Sequence, residues 1–194
     1  MEKTTFDFGF GPVPAHQHAN GGGWVADSAR VADTAQVYGN ARVCGNARVS
    51  GEAQVYGNAR VCGNAWVCGN ARVSGEARVS GEARVFGEAQ VYGNAQVYGN
   101  AQVYGNARVC GGARVSGEAR VTTTPLVISG LEYVVTVCDN QVQIGCKTVP
   151  ATAQLSADMF PEETCPVLRA CAHTLIPLIQ GHYARAAQVE VCRD

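Results

Sequence analysis

The sequence predicts a mainly β chain in which short strands alternate with corners over a long repetitive stretch, followed by a small α+β module. Two observations carry this reading. The first is a six-residue pattern, Ala-x-Val-x-Gly-Asn/Glu, running without a gap from Gly23 to Thr124, seventeen hexapeptides in all; repetition at a fixed period outranks any local propensity. The second is the break after Thr122, where the hexapeptide gives way to alternating apolar residues and then to helical spacing. Alternating Ala and Val make one face of a strand, but a strand of about a hundred residues would far exceed the usual ten or fewer. The backbone must therefore turn inside every repeat. Glycine at the fifth position, as in Gly39, Gly45, Gly51 and Gly57, accepts angles that a side chain forbids, and Asn or Glu follows it.

Val43 with Ala41, or Val61 with Ala59, pairs an aliphatic residue with a small one two positions earlier. On those residues the repeat resembles the hexapeptide-repeat family of left-handed parallel β-helices. The resemblance implies three hexapeptides per triangular coil, hence five to six coils, and a homotrimer. The N-terminal segment and the repeats are also similar to uncharacterised hexapeptide proteins of bacteria and their phages. The expected organisation is an N-terminal cap over 1–22, the β-helix over 23–124 and an α+β module over 125–194. Burying the valine column at roughly 1.5–3 kcal/mol per side chain is ample to drive folding before chain entropy is subtracted.

With the interior filled by Ala and Val, function is expected on the outward positions, where residues 18 apart stack. One face reads Trp24, Arg42, Arg60, Arg78, Gln96, Arg114; the next Arg30, Arg48, Trp66, Arg84, Gln102, Arg120; the third Gln36, Gln54, Arg72, Gln90, Arg108. The second outward column carries Cys44 and Cys62 on the first face, Cys68, Phe86 and Tyr104 on the second, and Tyr38, Tyr56 and Tyr92 on the third, so that Tyr92, Tyr98 and Tyr104 girdle one coil. Arginines stacked about 5 Å apart repel unless screened. One reading braces them with Glu76, Glu82 and Glu88. The sharper reading is anion recognition by forked guanidiniums beside rings that stack on a base, which selects Arg42, Arg60, Arg78, Arg48, Arg84, Trp66, Phe86, Tyr92, Tyr98 and Tyr104 as candidate binding residues.

Ahead of the repeat, Pro12 and Pro14 favour extended backbone and Gly21 to Gly23 allow a sharp turn into the first coil. His16 and His18 form an H-x-H pair, a weak metal candidate without a third ligand. After the repeat, a two-residue turn at Asp139-Asn140 sets Val137 opposite Val142 and Val135 opposite Ile144, preceded by a strand at 126–129. Pro166 suits a first helical turn, and Leu168, Cys171, Ala172, Leu175 and Ile179 keep helical spacing before Gly181, with Pro177 expected to kink or end the helix. This module is expected to cover the open end of the β-helix.

The formal charge of -1 indicates no bulk attraction to nucleic acid or anionic membrane, although residues 23–124 carry ten Arg against seven acids. The N-terminus shows no signal or transit peptide and no stretch reaches a membrane span, so a cytoplasmic location is expected. The nine cysteines then read as reduced, small apolar residues; Cys44 and Cys62 stack at a distance that permits a disulfide. The resemblance implies acyltransferase or zinc-dependent chemistry as the fold's common activities, yet no histidine lies between His18 and His173 to serve as base or ligand. Glu52 and Cys68 are repeated corner and ladder residues that read as interchangeable, and His173 and His182 read as surface residues on or after the helix. The expectation is no catalytic residue, no cofactor, and a trimeric scaffold, plausible as a phage product, that binds a host defence protein or sequesters an anionic small molecule such as a nucleotide signal. An acyltransferase and a purely structural spacer are the alternatives.

Overall fold

The computed structural model describes residues 4–129, 134–144, 147–151 and 172–191. Strands β1 (Thr5–Asp7) and β2 (Pro12–Gln17) come first, then seventeen strands from β3 (Trp24–Ala26) to β19 (Arg120–Val121), one per hexapeptide. Strands three repeats apart pair in parallel. Face 1 joins Trp24, Arg42, Arg60, Arg78, Gln96 and Arg114. Face 2 joins Arg30, Arg48, Trp66, Arg84, Gln102 and Arg120. Face 3 joins Gln36, Gln54, Arg72, Gln90 and Arg108. These registers are the three columns expected from the 18-residue spacing, giving about five turns of a three-sided coil. Its Ala and Val columns, from Ala35 to Val121, form one continuous buried core.

At most corners the chain is held to the next coil by a backbone bond. Gly45 has φ +67, and the Asn46 amide donates to the Gly63 carbonyl at 2.8 Å. The first coil solves its corners differently. Asp27 and Asp33 stand where later coils have glycine, and no residue other than glycine adopts positive φ among the described residues. Here the side chains of Ser28 and Thr34 donate to the Gly45 and Gly51 carbonyls at 2.6 Å each. A hydroxyl thus replaces the backbone N–H that later coils use.

A parallel strand at the end of a coil leaves a row of backbone groups without partners. At the start, β1 and β2 form an antiparallel hairpin and β2 pairs with β3, closing face 1. Face 3 is closed by the turn, where Gly23 donates to Val37 at 2.7 Å and the Val37 amide to Asn20 at 3.2 Å. On face 2, β4 (Arg30–Val31) pairs with the Arg48–Val49 strand on one side and has no strand on its other side among the described residues.

The other end is closed by an antiparallel sheet of β20 (Leu126–Ile128), β21 (Val135–Val137), β22 (Gln141–Ile144) and β23 (Lys147–Pro150). Val137 faces Val142 and Val135 faces Ile144, as the turn at Asp139-Asn140 requires. That turn lies on the last coil. Asp139 Oδ2 accepts the Thr122 amide at 2.6 Å, Asn140 Oδ1 accepts the Arg120 amide at 2.7 Å, and Thr136 Oγ1 accepts the Arg114 amide at 3.2 Å. Gln141 Nε2 and Asn140 Nδ2 donate to the carbonyls of Ser116 and Glu118. Side chains thereby supply the partners that a further coil would have offered.

Helix α1 (Ala172–Val191) buries Leu175 and Ile179 against Val135, Val137, Val142 and Ile144. It runs through Pro177 and past Gly181 instead of ending there. Packing of Leu175 and Ile179, one on each side of the proline, outweighs the lost backbone bond. Pro166, Leu168 and Cys171, expected to open this helix, lie outside the described residues. No helix among the described residues is long and apolar enough to cross a membrane.

Candidate functional site

Because side chains alternate in and out along each two-residue strand, the wall of every face carries a row of first outward residues beside a row of corner residues. Between the two rows runs a groove. On face 2 it is lined by Arg30, Arg48, Trp66 and Arg84 from the strands and by Ser28, Asn46, Asn64 and Glu82 from the corners, about 490 Å³ in volume. The face 1 groove, about 260 Å³, holds Arg42, Arg60 and Arg78 with Asn40, Asn58 and Glu76. On face 3 the groove of about 360 Å³ has a single arginine, Arg72, against Glu52 and Glu88. Two walls are therefore cationic and one is not.

The bracing of these arginines by Glu76, Glu82 and Glu88 does not occur. Among the described residues no arginine lies within ion-pair distance of a carboxylate, and the one close contact between a basic side chain and a carboxylate is the hydrogen bond between His16 Nδ1 and Asp27 Oδ1, at 3.0 Å. The corner asparagines bond to one another instead, Asn40 Nδ2 donating to Asn58 Oδ1 at 3.2 Å. Guanidiniums of the face 2 groove thus keep their forked donors available for a ligand.

Trp66 is 41% exposed, a large share for so apolar a ring. It stands in register between Arg48 and Arg84, and its Nε1–H donates to Ser50 Oγ at 3.4 Å. One side of the indole borders the polar groove; the other borders a shallow apolar dish with Val31, Ala32 and Val49 at the uncovered edge of β4. The arrangement offers a ring to stack on and cations to bind charge within one trough.

The other candidates disperse. Arg42 lies over the Phe6 ring at 5.1 Å from its centroid, a cation–π contact that ties it to the N-terminal hairpin. Arg60 and Arg78 remain in the smaller face 1 groove. Phe86 and Tyr104 stack on each other on face 2 with centroids 5.0 Å apart. Tyr98 accepts a hydrogen bond from Gln143 Nε2 at 3.2 Å and so belongs to the C-terminal cap, while Tyr92 stands exposed on face 3. His16 and His18 turn to separate partners: His16 to Asp27, and His18 Nδ1 to the Asn20 amide at 3.0 Å. Among the described residues no three His, Cys, Asp or Glu side chains gather at ligand spacing.

The outer wall of face 1 is partly covered, which the sequence reading missed. Phe6 stacks on Trp24 with centroids 4.4 Å apart, and Phe8 is buried with Ala15, Ala26 and Cys44. The signal was the alternation Phe6, Phe8, Phe10 ahead of the repeat. Arg30, Asn46 and Asn64 were likewise not selected as site residues, although the 18-residue columns place them beside Trp66 and Arg84.

A family model described as the YdcK beta solenoid repeat matches residues 35–51, 53–69, 65–81, 95–111 and 101–117. Each stretch is close to one 18-residue coil in length. The repeat region is a beta solenoid. No curated protein and no solved structure matches the chain.

Proposed function

We propose that the solenoid is a non-catalytic binding scaffold whose face 2 groove takes an anionic ligand with a flat ring, of nucleotide chemistry. The observation that carries this is the trough of about 490 Å³ shared by Arg30, Arg48, Arg84 and the exposed Trp66. Arginine forks suit phosphate oxygens in pairs, and stacking of a base on an aromatic ring contributes about 1–3 kcal/mol. Of the two cationic walls this one has both the larger groove and the ring.

The coil is left-handed in this reading, as in the hexapeptide-repeat family, and three copies assemble side by side. Face 3 is the wall suited to that contact, with Gln36, Gln54 and Gln90 in one row and the parallel stack of Tyr38 on Tyr56, centroids 4.9 Å apart, in the next. Faces 1 and 2 then look outward. A phage product that sequesters a nucleotide signal of its host fits this groove, with a host protein docking on the same wall as the competing outcome.

Isothermal titration and thermal shift against a panel of mono-, di- and cyclic nucleotides test this, with capture from host lysate in parallel. Saturable binding that quenches Trp66 fluorescence is expected. No heat with any nucleotide and no captured protein would refute the scaffold as a binder. Acyl transfer is the alternative, and none of the three wall grooves is lined by a histidine that would serve as its base; thiol release from acetyl-CoA with an amine acceptor would overturn the non-catalytic reading.

A further inference from the structure

Cys44 and Cys62 occupy the same outward position on neighbouring coils of face 1. They follow directly on Val43 and Val61, which are register partners, and the Cys44 amide donates to the Val61 carbonyl at 2.9 Å. Strands paired this way stand about 4.8 Å apart, within the roughly 4.4–6.8 Å of Cα separation that a disulfide spans. Both thiols are free. No other described cysteine has this arrangement: Cys68 is stacked between Ser50 and Phe86, Cys110 lies beyond Tyr92, and Cys138 is buried in the solenoid core.

The two thiols have unequal surroundings. Cys44 is 6% exposed, sealed by Phe8, Ala15 and Ala26 of the N-terminal cluster. Cys62 lies at the margin of that cluster, half-buried, with Arg60 and Arg78 beside it. The hydrogen bond from the Cys44 thiol, together with those two guanidiniums, holds Cys62 down to about 7 against the pull of burial. Donating that bond and being buried push Cys44 up. A half-buried, cation-flanked thiol beside a more deeply sheltered one resembles the pairing of peroxide-sensing cysteines.

We propose that Cys62 and Cys44 form a peroxide-responsive dithiol, Cys62 attacking and Cys44 resolving, that closes a reversible disulfide between the second and third coils. The Cys62 thiolate attacks one oxygen of hydrogen peroxide, the O–O bond breaks, and the departing hydroxide takes a proton to leave as water, giving a Cys62 sulfenic acid. The Cys44 sulfur then attacks the Cys62 sulfur and displaces hydroxide, which leaves with the Cys44 thiol proton as a second water. Two thiols lose one electron each and the peroxide gains both. A dithiol reductant reverses the step by exchange. The bond would form at the margin of the cluster in which Phe8 packs with Ala15, Ala26 and Cys44, tying the third coil to the one that carries this cluster.

The experiment uses the full chain, reduced, exposed to hydrogen peroxide, alkylated and digested without reduction. Mass spectrometry is expected to find Cys44 linked to Cys62, with fragmentation distinguishing Cys62 from Cys68 on the same tryptic peptide. At pH 7 Cys62 should alkylate on the order of threefold faster than Cys68 or more, its greater thiolate fraction outweighing its lower intrinsic nucleophilicity. Its charged neighbours are Arg60 and Arg78, with Arg42 and the hairpin's Asp7 further along the wall. Cys44→Ala should stop at a sulfenic acid on Cys62 that dimedone traps, and Cys62→Ser should leave Cys44 reduced. Oxidation of Cys68 or Cys110 as fast as Cys62, or passage of Cys62 to the sulfinic acid with Cys44 intact, would overturn the assignment.

Discussion

Gly45 sits so tightly on Gly63 that a Cβ built on it would lie 2.9 Å from both the amide nitrogen and the carbonyl oxygen of Gly63. Two requirements coincide there: the backbone is left-handed, and the next coil leaves no room. Gly117 has the same conformation, φ +63, with nothing within 4 Å of its Cβ position. The pair separates the two effects. Gly117→Ala should cost only the conformational part, about 1–2 kcal/mol, whereas Gly45→Ala should add overpacking of about 1–3 kcal/mol. Thermal melts of the two variants are expected to rank Gly45→Ala clearly lower; equal melting temperatures would mean that coil spacing plays no part in the choice of glycine.

The closure of the C-terminal end rests on few groups, and Asp139 serves several of them. Its Oδ2 accepts the Thr122 amide at 2.6 Å and the Thr122 hydroxyl at 2.7 Å. Asp139→Ala strands a part-buried amide at the last corner, which should cost about 1–3 kcal/mol. Hydrogen exchange is expected to show faster exchange of the Arg114, Arg120 and Thr122 amides while the Cys44 and Arg60 amides, several coils away, stay protected, as nearest-neighbour coupling in a repeat protein predicts. Uniform loss of protection along the coil would contradict this local account.

The six-residue period contains both the inward pair and the corner, so the register of Trp24 on Arg42 or Trp66 on Arg84 follows from counting alone. What counting does not reach is where the walls and ends are covered. Thr136 and Gln143 alternate with Val135, Val137, Val142 and Ile144, and by period two they read as the wet side of a hairpin. They are buried, at 0% and 1% exposure, because that side lies on the end of the solenoid, where Thr136 Oγ1 accepts the Arg114 amide and Gln143 Nε2 donates to the Tyr98 hydroxyl. Phe6 lands on Trp24 and Arg42 for a related reason: the contact depends on the hairpin turn and on the antiparallel pairing of β2 with β3, neither of which the hexapeptide pattern encodes. The face 2 trough was half legible, its arginine column apparent and its asparagine corners overlooked.

His18 makes the N-terminal closure sensitive to pH. Its Nδ1 accepts the Asn20 amide at 3.0 Å, which requires a neutral ring carrying its proton on Nε2. Burial, and then the charge of His16, hold its pKa below the ordinary 6.5, with Asp33 pulling weakly the other way. A lowered folded pKa means that the unfolded chain takes up the proton first. The stabilisation is therefore complete above about 6.5 and is lost as pH falls below that value toward the folded pKa. An NMR titration should place the His18 midpoint under 6.5, and protection of the Gly22 amide, which donates to the His18 carbonyl at 2.8 Å, should decline over the same range. A midpoint at or above 6.5 would reverse the sign.

The face 2 trough assigns different work to its ring and its cations, and variants can tell the two apart. Trp66→Ala removes the stacking surface and should weaken a nucleotide by about 1–3 kcal/mol while leaving inorganic phosphate little affected. Arg48→Gln with Arg84→Gln removes charge and forked donors, so it should weaken both ligands and flatten the dependence of affinity on salt, since screening acts on the charged part of the interaction. Both sets of side chains point outward from strands whose valines fill the core, so melting temperatures should stay near that of the parent chain. A parallel pair, Arg60→Gln with Arg78→Gln on face 1, is the control: it removes equal charge from a wall of the same sign without touching the trough. If that control weakens the nucleotide as much as the face 2 pair does, binding follows the general charge of the solenoid and the trough is not the site.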